Sequence, residues 1–259
     1  MEQTLTLSRA GLTTFQICQR RFQLRYLDRL SWPAVPEDAR MEKARIQGER
    51  FHQLMHRHFL GLSVSEEVES YPELARWWKR FLSEGPQLPG GQRLPELTLT
   101  IPMGRHLLSG RFDLLVLSKE QIHLFDWKTE TRARAEGELA TDLQTRLYLA
   151  LAAEGGPALD RKFGPENISM TYWYVHDPAA SVTIQYNQAK HAENWEYIGQ
   201  IVDDINRRLA VEGKWPLTED FTNCEQCAFQ VYCGRQTDNF RLSQWGDLED
   251  NPILEPDFP

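Results

Sequence analysis

The sequence predicts a mixed α/β (α+β) domain that begins with a helical part. Three observations predict this class. Apolar residues recur at helical spacing over roughly the first 85 positions, they alternate as in strands over much of 96–127, and they return to helical spacing over 138–153. Helices followed by hairpin strands, and then by more of both, indicate a sheet with helices packed against it.

Three helices are predicted in the N-terminal part. Leu7–Leu30 has apolar residues at helical spacing, with Ser8 as its N-cap, and 38–60 and 72–82 show the same spacing. Glycine and proline then cluster in 83–95, which predicts a connector.

The remaining elements follow from changes of period. Two alternating runs flank a short Ser-Lys-Glu turn, as expected of a hairpin. The predicted strands are Glu96–Pro102, His106–Leu117, Gln121–Trp127, 168–175 and 181–186, and the predicted helices are 138–153 and 188–211. The chain is thereby divided into a helical part with the first cysteine (1–90), a core (91–212), and a cysteine-rich segment with an acidic tail (213–259).

The composition is that of a folded protein. The chain has 259 residues, of which 41% are hydrophobic and 25% charged, and its formal net charge is −8. These values exclude a disordered or fibrous chain, and the length suits one elaborated domain. A basic-then-apolar leader and an apolar run of about 18 residues are both missing, so we expect a cytoplasmic protein without membrane contact. In that reducing compartment, four cysteines favour metal binding or catalysis over disulfides.

Charged residues interrupt the predicted hairpin. Asp113 lies inside an apolar strand, while Asp126 and Lys128 share one face at the end of the partner strand and Trp127 faces the other way. Neighbouring carboxylates repel one another unless a cation lies between them, and hard oxygen ligands favour Mg²⁺ or Mn²⁺. Lys128 would then stabilise an attacking hydroxide or a developing phosphate charge. The alternative is a surface ion pair, which would contribute little.

Two helical pairs could add to this site. Gly48 precedes His52 by one helical turn, so another backbone could approach closely beside an imidazole that could bind metal or phosphate. Gln144 and Tyr148 are also one turn apart, and both can donate hydrogen bonds to a phosphate or a base. Taken singly, His52 could be a surface residue and Tyr148 a core residue.

In this order, the four motifs resemble the RecB-like branch of the PD-(D/E)XK nuclease superfamily. The motifs are Gly48-x-x-x-His52, Gly110-x-x-Asp113, Asp126-Trp127-Lys128-Thr129 and Gln144-x-x-x-Tyr148. The resemblance covers roughly residues 8–235, although the namesake Pro-Asp pair is absent because Phe112 precedes Asp113. It implies a restriction-endonuclease-like mixed sheet flanked by helices.

The resemblance also implies roles for single residues. By it, Asp113, Asp126 and Lys128 are catalytic, and Mg²⁺ or Mn²⁺ is held by the side chains of His52, Asp113 and Asp126 and by the Trp127 carbonyl. Gln144 and Tyr148 would shape the site and contact nucleic acid, and Glu96 matches a further acidic position.

The activity implied is that of a metal-dependent DNA nuclease. Resemblance suggests an exonuclease on single-stranded DNA or free ends, in repair, recombination or CRISPR adaptation. The phosphate-binding loop of helicases, G-x-x-x-x-G-K-[ST], is absent, so unwinding would need a helicase or a CRISPR-adaptation partner. The rival interpretation is an assembly subunit that keeps the fold and binds nucleic acid without cleaving it.

The cysteines are unevenly placed. Cys224, Cys227 and Cys233 fall within ten residues, and the distant Cys18 completes four candidate ligands with none left over. Zinc and an iron–sulfur cluster both accept four thiolates, and Cys18 alone could be a core residue. The arrangement is similar to the iron staple of CRISPR-associated RecB-like exonucleases and of AddB-type subunits. It implies a structural 4Fe-4S cluster, with zinc as the alternative occupant.

The charge of the chain gives evidence both against and for nucleic-acid binding. An acidic chain is a poor first guess for a nucleic-acid binder. Residues 16–30 nevertheless hold four arginines, including Arg20 and Arg21, against one aspartate, a local net charge of +3. Interleaved aromatic residues make this helix a candidate for phosphate and base contacts. The alternative is a solvated helix face over core aromatics.

Overall fold

The computed structural model describes residues 4–31, 38–159 and 163–235. Within them a six-stranded mixed sheet is flanked by helices, as the sequence predicts. The strands are β1 (Thr6–Ser8), β2 (Gln92–Met103), β3 (His106–Leu117), β4 (Ile122–Lys128), β5 (Ile168–Tyr174) and β6 (Val182–Gln185). The helices are α1 (Arg9–Ile17), α2 (Gln19–Phe22), α3 (Ala39–Phe59), α4 (Ser65–Ser70), α5 (Pro72–Glu84), α6 (Glu136–Thr141), α7 (Leu143–Glu154), α8 (Gln188–Leu209) and α9 (Thr222–Glu225).

The strand β3 organises the sheet. Along its whole length it pairs antiparallel with β2. Along its first part, Leu107–Ser109, it also pairs in parallel with β1, and along its last part, Leu114–Leu117, it pairs antiparallel with β4. The strand β4 then pairs in parallel with β5, and β5 pairs antiparallel with β6. Asp113 therefore lies where one edge of β3 changes its partner from β1 to β4.

Helices cover both faces of the sheet. On one face α3 and α5 pack on β3, β4 and β5 in an aromatic-rich core that includes Phe51, Trp77, Trp127 and Trp173. On the other face α7 contacts β3 and β5 and packs against α8. The alternation in β4 serves both layers, because Trp127 enters the first core whereas its neighbours Asp126 and Lys128 meet α7.

Two predicted helices are interrupted. The predicted helix 138–153 is divided into α6 and α7 because Asp142 adopts an extended backbone and its carboxylate accepts a hydrogen bond from the Gln144 amide (2.7 Å). The predicted helix Leu7–Leu30 is divided into β1, α1, α2 and a π-helical turn. Cys18 causes one of these breaks, because its backbone is extended and its sulfur accepts from the Arg21 amide (3.4 Å).

Other boundaries agree closely with the sequence. The side chain of Ser8 accepts a hydrogen bond from the Gly11 amide, as expected of an N-cap residue. Asp38 caps α3 in the same way, and Pro72 begins α5 at a position where its missing N–H is not needed. The short helix α4 was not predicted by the spacing of apolar residues, since none of its residues is buried.

The chain forms two compact units. The first contains residues 1–13 and 37–212, and the second contains residues 14–36 and 213–259. In the second unit Phe22 stacks on Trp215, and the Gln23 side chain bonds to the Gly213 carbonyl and the Trp215 amide. The predicted acidic tail from Asp238 onward lies outside the described residues. Across those residues, no helix is both long enough and apolar enough to cross a membrane.

Candidate active site

A buried ion pair lies at the end of β4. The Lys128 ammonium is 2.7 Å from Asp126 Oδ2 and 3.2 Å from the Gln144 side-chain carbonyl, to which it donates. The Gln144 amide donates in turn to Asp126 Oδ1. The two-residue period of β4 and the first turn of α7 thus fix a lysine against a carboxylate that is only 5% exposed.

Asp113 joins β3 to α3 and to β4. Its Oδ1 lies 3.2 Å from His52 Nδ1, and its Oδ2 accepts a hydrogen bond from the Trp127 backbone amide (2.8 Å). This bond continues the hairpin by one step beyond the Leu114–Phe125 pair, so Asp113 lies opposite Asp126. The carboxylate orientation is therefore set by backbone pairing and by the α3 imidazole.

Glu96 enters the site through an unusual backbone conformation. It lies opposite Asp113, between the β2–β3 pairs Pro95–Leu114 and Leu97–Phe112, and its φ of 52° is in the left-handed region. Non-glycine residues there are strained by about 1–3 kcal/mol, and such strain concentrates at functional sites. The Arg111 guanidinium, 2.8 Å from Glu96 Oε2, is its ion-pair partner.

Three of these groups make a candidate metal site. Ligand atoms of His52, Glu96 and Asp113 all lie within 4.8 Å of one another. Two carboxylates and one imidazole suit a divalent cation with oxygen and nitrogen ligands, such as Mn²⁺ or Mg²⁺. Asp126 is not a member of this compact group; both its oxygens are engaged by Lys128 and Gln144.

The ionisation of the site reflects this crowding. Burial and the neighbouring Asp113 charge raise the pKa of Asp126, against the opposing effect of Lys128. Burial works to lower the pKa of Lys128, but the adjacent Asp126 outweighs it and the pKa is raised, so the ammonium stays protonated. Burial also works to lower the pKa of His52. The hydrogen bond to Asp113 and the nearby carboxylate charges outweigh this effect, so the pKa of His52 is raised. A bound cation would relieve the same excess of negative charge.

The site opens into a cleft of about 1080 Å³. Residues of α1, α3, β2, β3 and α7 line it, and three arginines, Arg9, Arg45 and Arg111, are among them. Tyr148 lines the cleft too, and its ring contacts Phe112 edge-on with the ring centroids 5.0 Å apart. Arg45 and Arg111 are ion-paired with Glu49 and Glu96 of the same lining, so a cation bound at the carboxylates would add the positive charge that an anionic polymer needs.

Glycines permit two close approaches at the cleft. A Cβ on Gly48 would lie 2.8 Å from the Thr129 hydroxyl, and a Cβ on Gly110 would lie 2.5 Å from Leu151 Cδ1 and 3.1 Å from the Tyr148 ring. The first approach brings α3, with His52, against the end of β4. A larger residue at either position would force these side chains to shift.

The structure brings together most of the predicted site residues and adds others. His52, Asp113, Asp126, Lys128 and Gln144 form one connected set, and the Trp127 amide belongs to it. Sequence reasoning included Thr129 in a motif but gave it no role, and it missed Arg111. Arg111 could have been found from the period of β3, since it precedes Asp113 by two residues.

The four cysteines all lie in the second unit. All are thiols rather than disulfides. Burial raises the pKa of Cys224 and of Cys233, and the other thiols, Cys18 and Cys227, contribute to both increases. Within the described chain, no three of the sulfur atoms come within 4.8 Å of one another. A tetrahedral zinc ion would need sulfur atoms about 3.8 Å apart, given Zn–S bonds of about 2.3 Å.

The predicted basic helix has a different environment from the one expected. Arg20 is only 7% exposed, its guanidinium donates to the Gln23 side chain at 2.5 Å, and it lies over the Tyr232 ring. Arg21 is half-buried, whereas Arg25 is exposed. Arg20 is therefore a packing element of the second unit, and the exposed positive charge lies further along.

Comparison with known proteins agrees with this fold. The crystal structure of a provisionally assigned exonuclease from Eubacterium rectale matches this chain with a TM-score of 0.50. The sequence identity is 11%, and the match covers 96% of this chain and 91% of that one. The crystal structure of the protein SSO0001 matches with 14% identity and a TM-score of 0.41, over 92% and 90% of the two chains. No curated relative matches the sequence.

A family profile gives the assignment. The profile of the PD-(D/E)XK nuclease superfamily matches residues 6–100 and 80–234, which together span most of the chain and include the whole carboxylate site. Such nucleases use divalent metals, which the His52, Glu96 and Asp113 group suits. The chain therefore belongs to the PD-(D/E)XK nuclease superfamily.

Proposed function

We propose that the protein is a Mg²⁺- or Mn²⁺-dependent deoxyribonuclease whose carboxylate site hydrolyses phosphodiester bonds. The observation that carries the proposal is the juxtaposition of the His52–Glu96–Asp113 group with a half-buried, protonated lysine at the end of one hairpin. A group of histidine and carboxylates, or a lysine–carboxylate ion pair, is common in proteins when it occurs alone. Together they provide ligands for a cation and a separate positive charge for the phosphate.

The residues divide the work as follows. His52, Glu96 and Asp113 would hold the cation, with Asp126 and the Trp127 carbonyl as further candidate ligands from the resemblance. When bound, the cation supplies an activated water and stabilises charge on the phosphate. Lys128, held by Asp126 and Gln144, would offer its ammonium to the negative charge that develops on the phosphate.

The substrate we propose is single-stranded DNA with a free end. The RecB-like resemblance supports this choice, as does the exonuclease assignment of the Eubacterium rectale neighbour. Arg9 lines the cleft together with Arg45 and Arg111, whose ion pairs with Glu49 and Glu96 would be exchanged for contacts with a phosphate backbone. Repair, recombination or CRISPR adaptation, with a helicase or an adaptation protein as partner, are the corresponding settings.

We also propose that the four cysteines hold a 4Fe-4S cluster with a structural role. The thiols are mutual neighbours, and they lie on both chain segments that form the second unit. A cluster would join these segments and reduce the entropy cost of ordering them.

Cleavage assays test the nuclease proposal directly. Purified protein is incubated with end-labelled single-stranded, duplex and branched DNA, with Mg²⁺, Mn²⁺ or chelator. We expect metal-dependent degradation of single strands, and a loss of roughly a hundredfold or more in Lys128→Ala, because a preorganised positive charge is removed. Lys190→Ala is the control, because it removes the same charge from α8. Among the described contacts the Lys190 ammonium bonds only to a backbone carbonyl, so this variant should cleave like wild type.

The non-catalytic alternative gives a different result. An assembly subunit would bind the labelled DNA but leave it intact with every metal, and Lys128→Ala would change nothing. The absence of cleavage on all three DNA forms would overturn the proposed activity.

A further inference from the structure

A second cavity lies on the far side of α3 from the active-site cleft. We call it the α3–α5 pocket and define it by Lys43, Gln47 and Arg50 of α3 together with Tyr71, Leu74 and Trp77 at the start of α5. Its volume is about 220 Å³. This is below the range of about 300–1,000 Å³ typical of pockets for drug-sized ligands, so the pocket suits a single planar ring system.

The walls of the pocket are aromatic and apolar. Trp77 and Leu74 are 6% and 4% exposed and are anchored in the core below. Tyr71 stands half-exposed at the rim, and the Arg50 guanidinium lies over its ring, 4.0 Å from the centroid. Nucleobases stack on aromatic rings and on guanidinium planes of this kind.

The rim of the pocket is positively charged. Lys43 and Arg50 contribute two cations from α3, while the acid at the rim, Glu73, forms an ion pair with Arg76. An anionic group beside the bound ring would therefore meet a net positive charge. A planar aromatic ring attached to a phosphate is the chemistry that these walls and this rim recognise.

The helix α3 links the pocket to the site. Lys43, Gln47 and Arg50 follow the spacing of one helix face, and Gly48 and His52 follow that of another, which lines the cleft. A strand that leaves the cleft needs to cross only the width of one helix, about 10 Å, to reach the pocket.

We propose that the α3–α5 pocket binds one nucleotide of the single strand whose phosphodiester is cleaved beside His52. The base would lie against Trp77 and Tyr71, and its phosphate would contact Lys43 and Arg50. This inference rests on the proposed nuclease function, which it deepens by adding a remote binding subsite.

Substrate length tests the pocket. Binding of a fluorescent long oligothymidylate is measured in chelator by anisotropy, and metal-dependent cleavage is measured on that oligomer and on a thymidine dinucleotide too short to reach the pocket. Tyr71→Ala should weaken oligomer binding on the order of tenfold, as expected for the loss of one stacked base, and leave dinucleotide cleavage unchanged. Tyr71→Phe keeps the ring and should bind like wild type.

Charge gives an independent readout. Lys43→Ala should reduce the slope of log affinity against log salt concentration by about 1, as expected for one lost phosphate contact. Lys190→Ala should leave that slope unchanged. Thermal melting of each variant, together with its dinucleotide cleavage, establishes that it is folded.

The outcomes are separable. If wild type cleaves both substrates but Tyr71→Ala binds the oligomer normally, the pocket proposal is overturned and the nuclease proposal stands. If Tyr71→Ala affects the dinucleotide and the oligomer equally, Tyr71 acts on the site rather than on a remote nucleotide, which also overturns the pocket proposal. If wild type neither cleaves nor binds DNA, both proposals are overturned.

Discussion

The carboxylate site and the cysteine site are supported by very different amounts of regular structure. Asp113, Asp126 and Lys128 lie on neighbouring strands with backbone pairing on either side, beneath α3 and α7. The cysteines lie at the N-terminus of a four-residue helix, in another four-residue helix, and in turns. In the described part of the second unit, one hydrophobic cluster next to the thiols has Leu24, Cys227 and Phe229 as buried members, and Phe15, Phe22 and Trp215 form a second buried group.

This difference teaches what each site needs from its ligand. The sheet unit has a large aromatic core and holds its charged residues through mutual hydrogen bonds, so it should fold with or without a cation. The described part of the second unit is short, and small units commonly depend on a metal for stability. Under the proposed function, a cofactor would serve the reaction in the sheet unit and the stability of the fold in the second unit.

The largest effect should come from removing a thiol. In Cys227→Ser we expect the loss of bound iron and of several kcal/mol of stability in the second unit, because cofactor binding energy contributes to folding. The iron-to-protein ratio, visible absorption and limited proteolysis under anaerobic conditions measure these effects. Val231→Ser, at an exposed position of the same segment, is the control.

The comparison of the two units also predicts that Cys227→Ser leaves the sheet unit intact. The sheet unit of Cys227→Ser should still bind Mn²⁺, measured by electron paramagnetic resonance. Retention of the second unit's protease resistance after iron is lost would contradict a structural role for the cluster.

Acid should weaken the sheet unit through a different residue. His123 bonds to Ser169 and Thr171, and burial lowers its pKa to about 4. In the unfolded chain its pKa is about 6.5, so the unfolded state binds more protons between these values. The stability that neutral His123 contributes is therefore fully present above pH 6.5 and is lost as the pH falls toward 4, by on the order of 2–3 kcal/mol.

Chemical denaturation at neutral and acidic pH measures this loss. His123→Gln keeps a polar side chain without the titration, and its stability should fall less steeply with acid than that of wild type. Parallel pH profiles for the two proteins would rule out His123 as a source of acid sensitivity in the sheet unit.

The smallest effect on stability is expected at Gly48. Alanine there improves helix propensity by about 1 kcal/mol, but its Cβ would crowd the Thr129 hydroxyl. We expect the melting temperature to change little and cleavage to fall roughly tenfold, because His52 shifts with α3. In a double-mutant cycle, Thr129→Ala should restore much of the lost rate. Additive effects of the two substitutions would show that this contact does not position α3.

The sequence predicted the hairpin well because one physical rule governs it. A two-residue period places Asp126 and Lys128 on one face and Trp127 on the other, and the structure has this arrangement. The resemblance placed His52 and Gln144 beside them from distant segments, which no local pattern could have done.

The two interrupted helices have local causes, whereas the Glu96 conformation does not. Asp142 and Cys18 interrupt predicted helices because their side chains accept backbone hydrogen bonds that compete with continuous helix. The left-handed backbone of Glu96 is a tertiary effect with no signal in the spacing of apolar residues. The two-residue period of β3 could have indicated Arg111, but not its pairing with Glu96 on another strand.

The backbone of Glu96 implies a trade-off between stability and activity at one position. Glycine would adopt the same left-handed conformation without the steric penalty, so the more stable sequence at this site is one without a carboxylate. A stabilising redesign guided by backbone geometry alone would select that change and remove a proposed metal ligand. An engineer who seeks a hardier version of this nuclease should leave Glu96 in place and look for stability elsewhere.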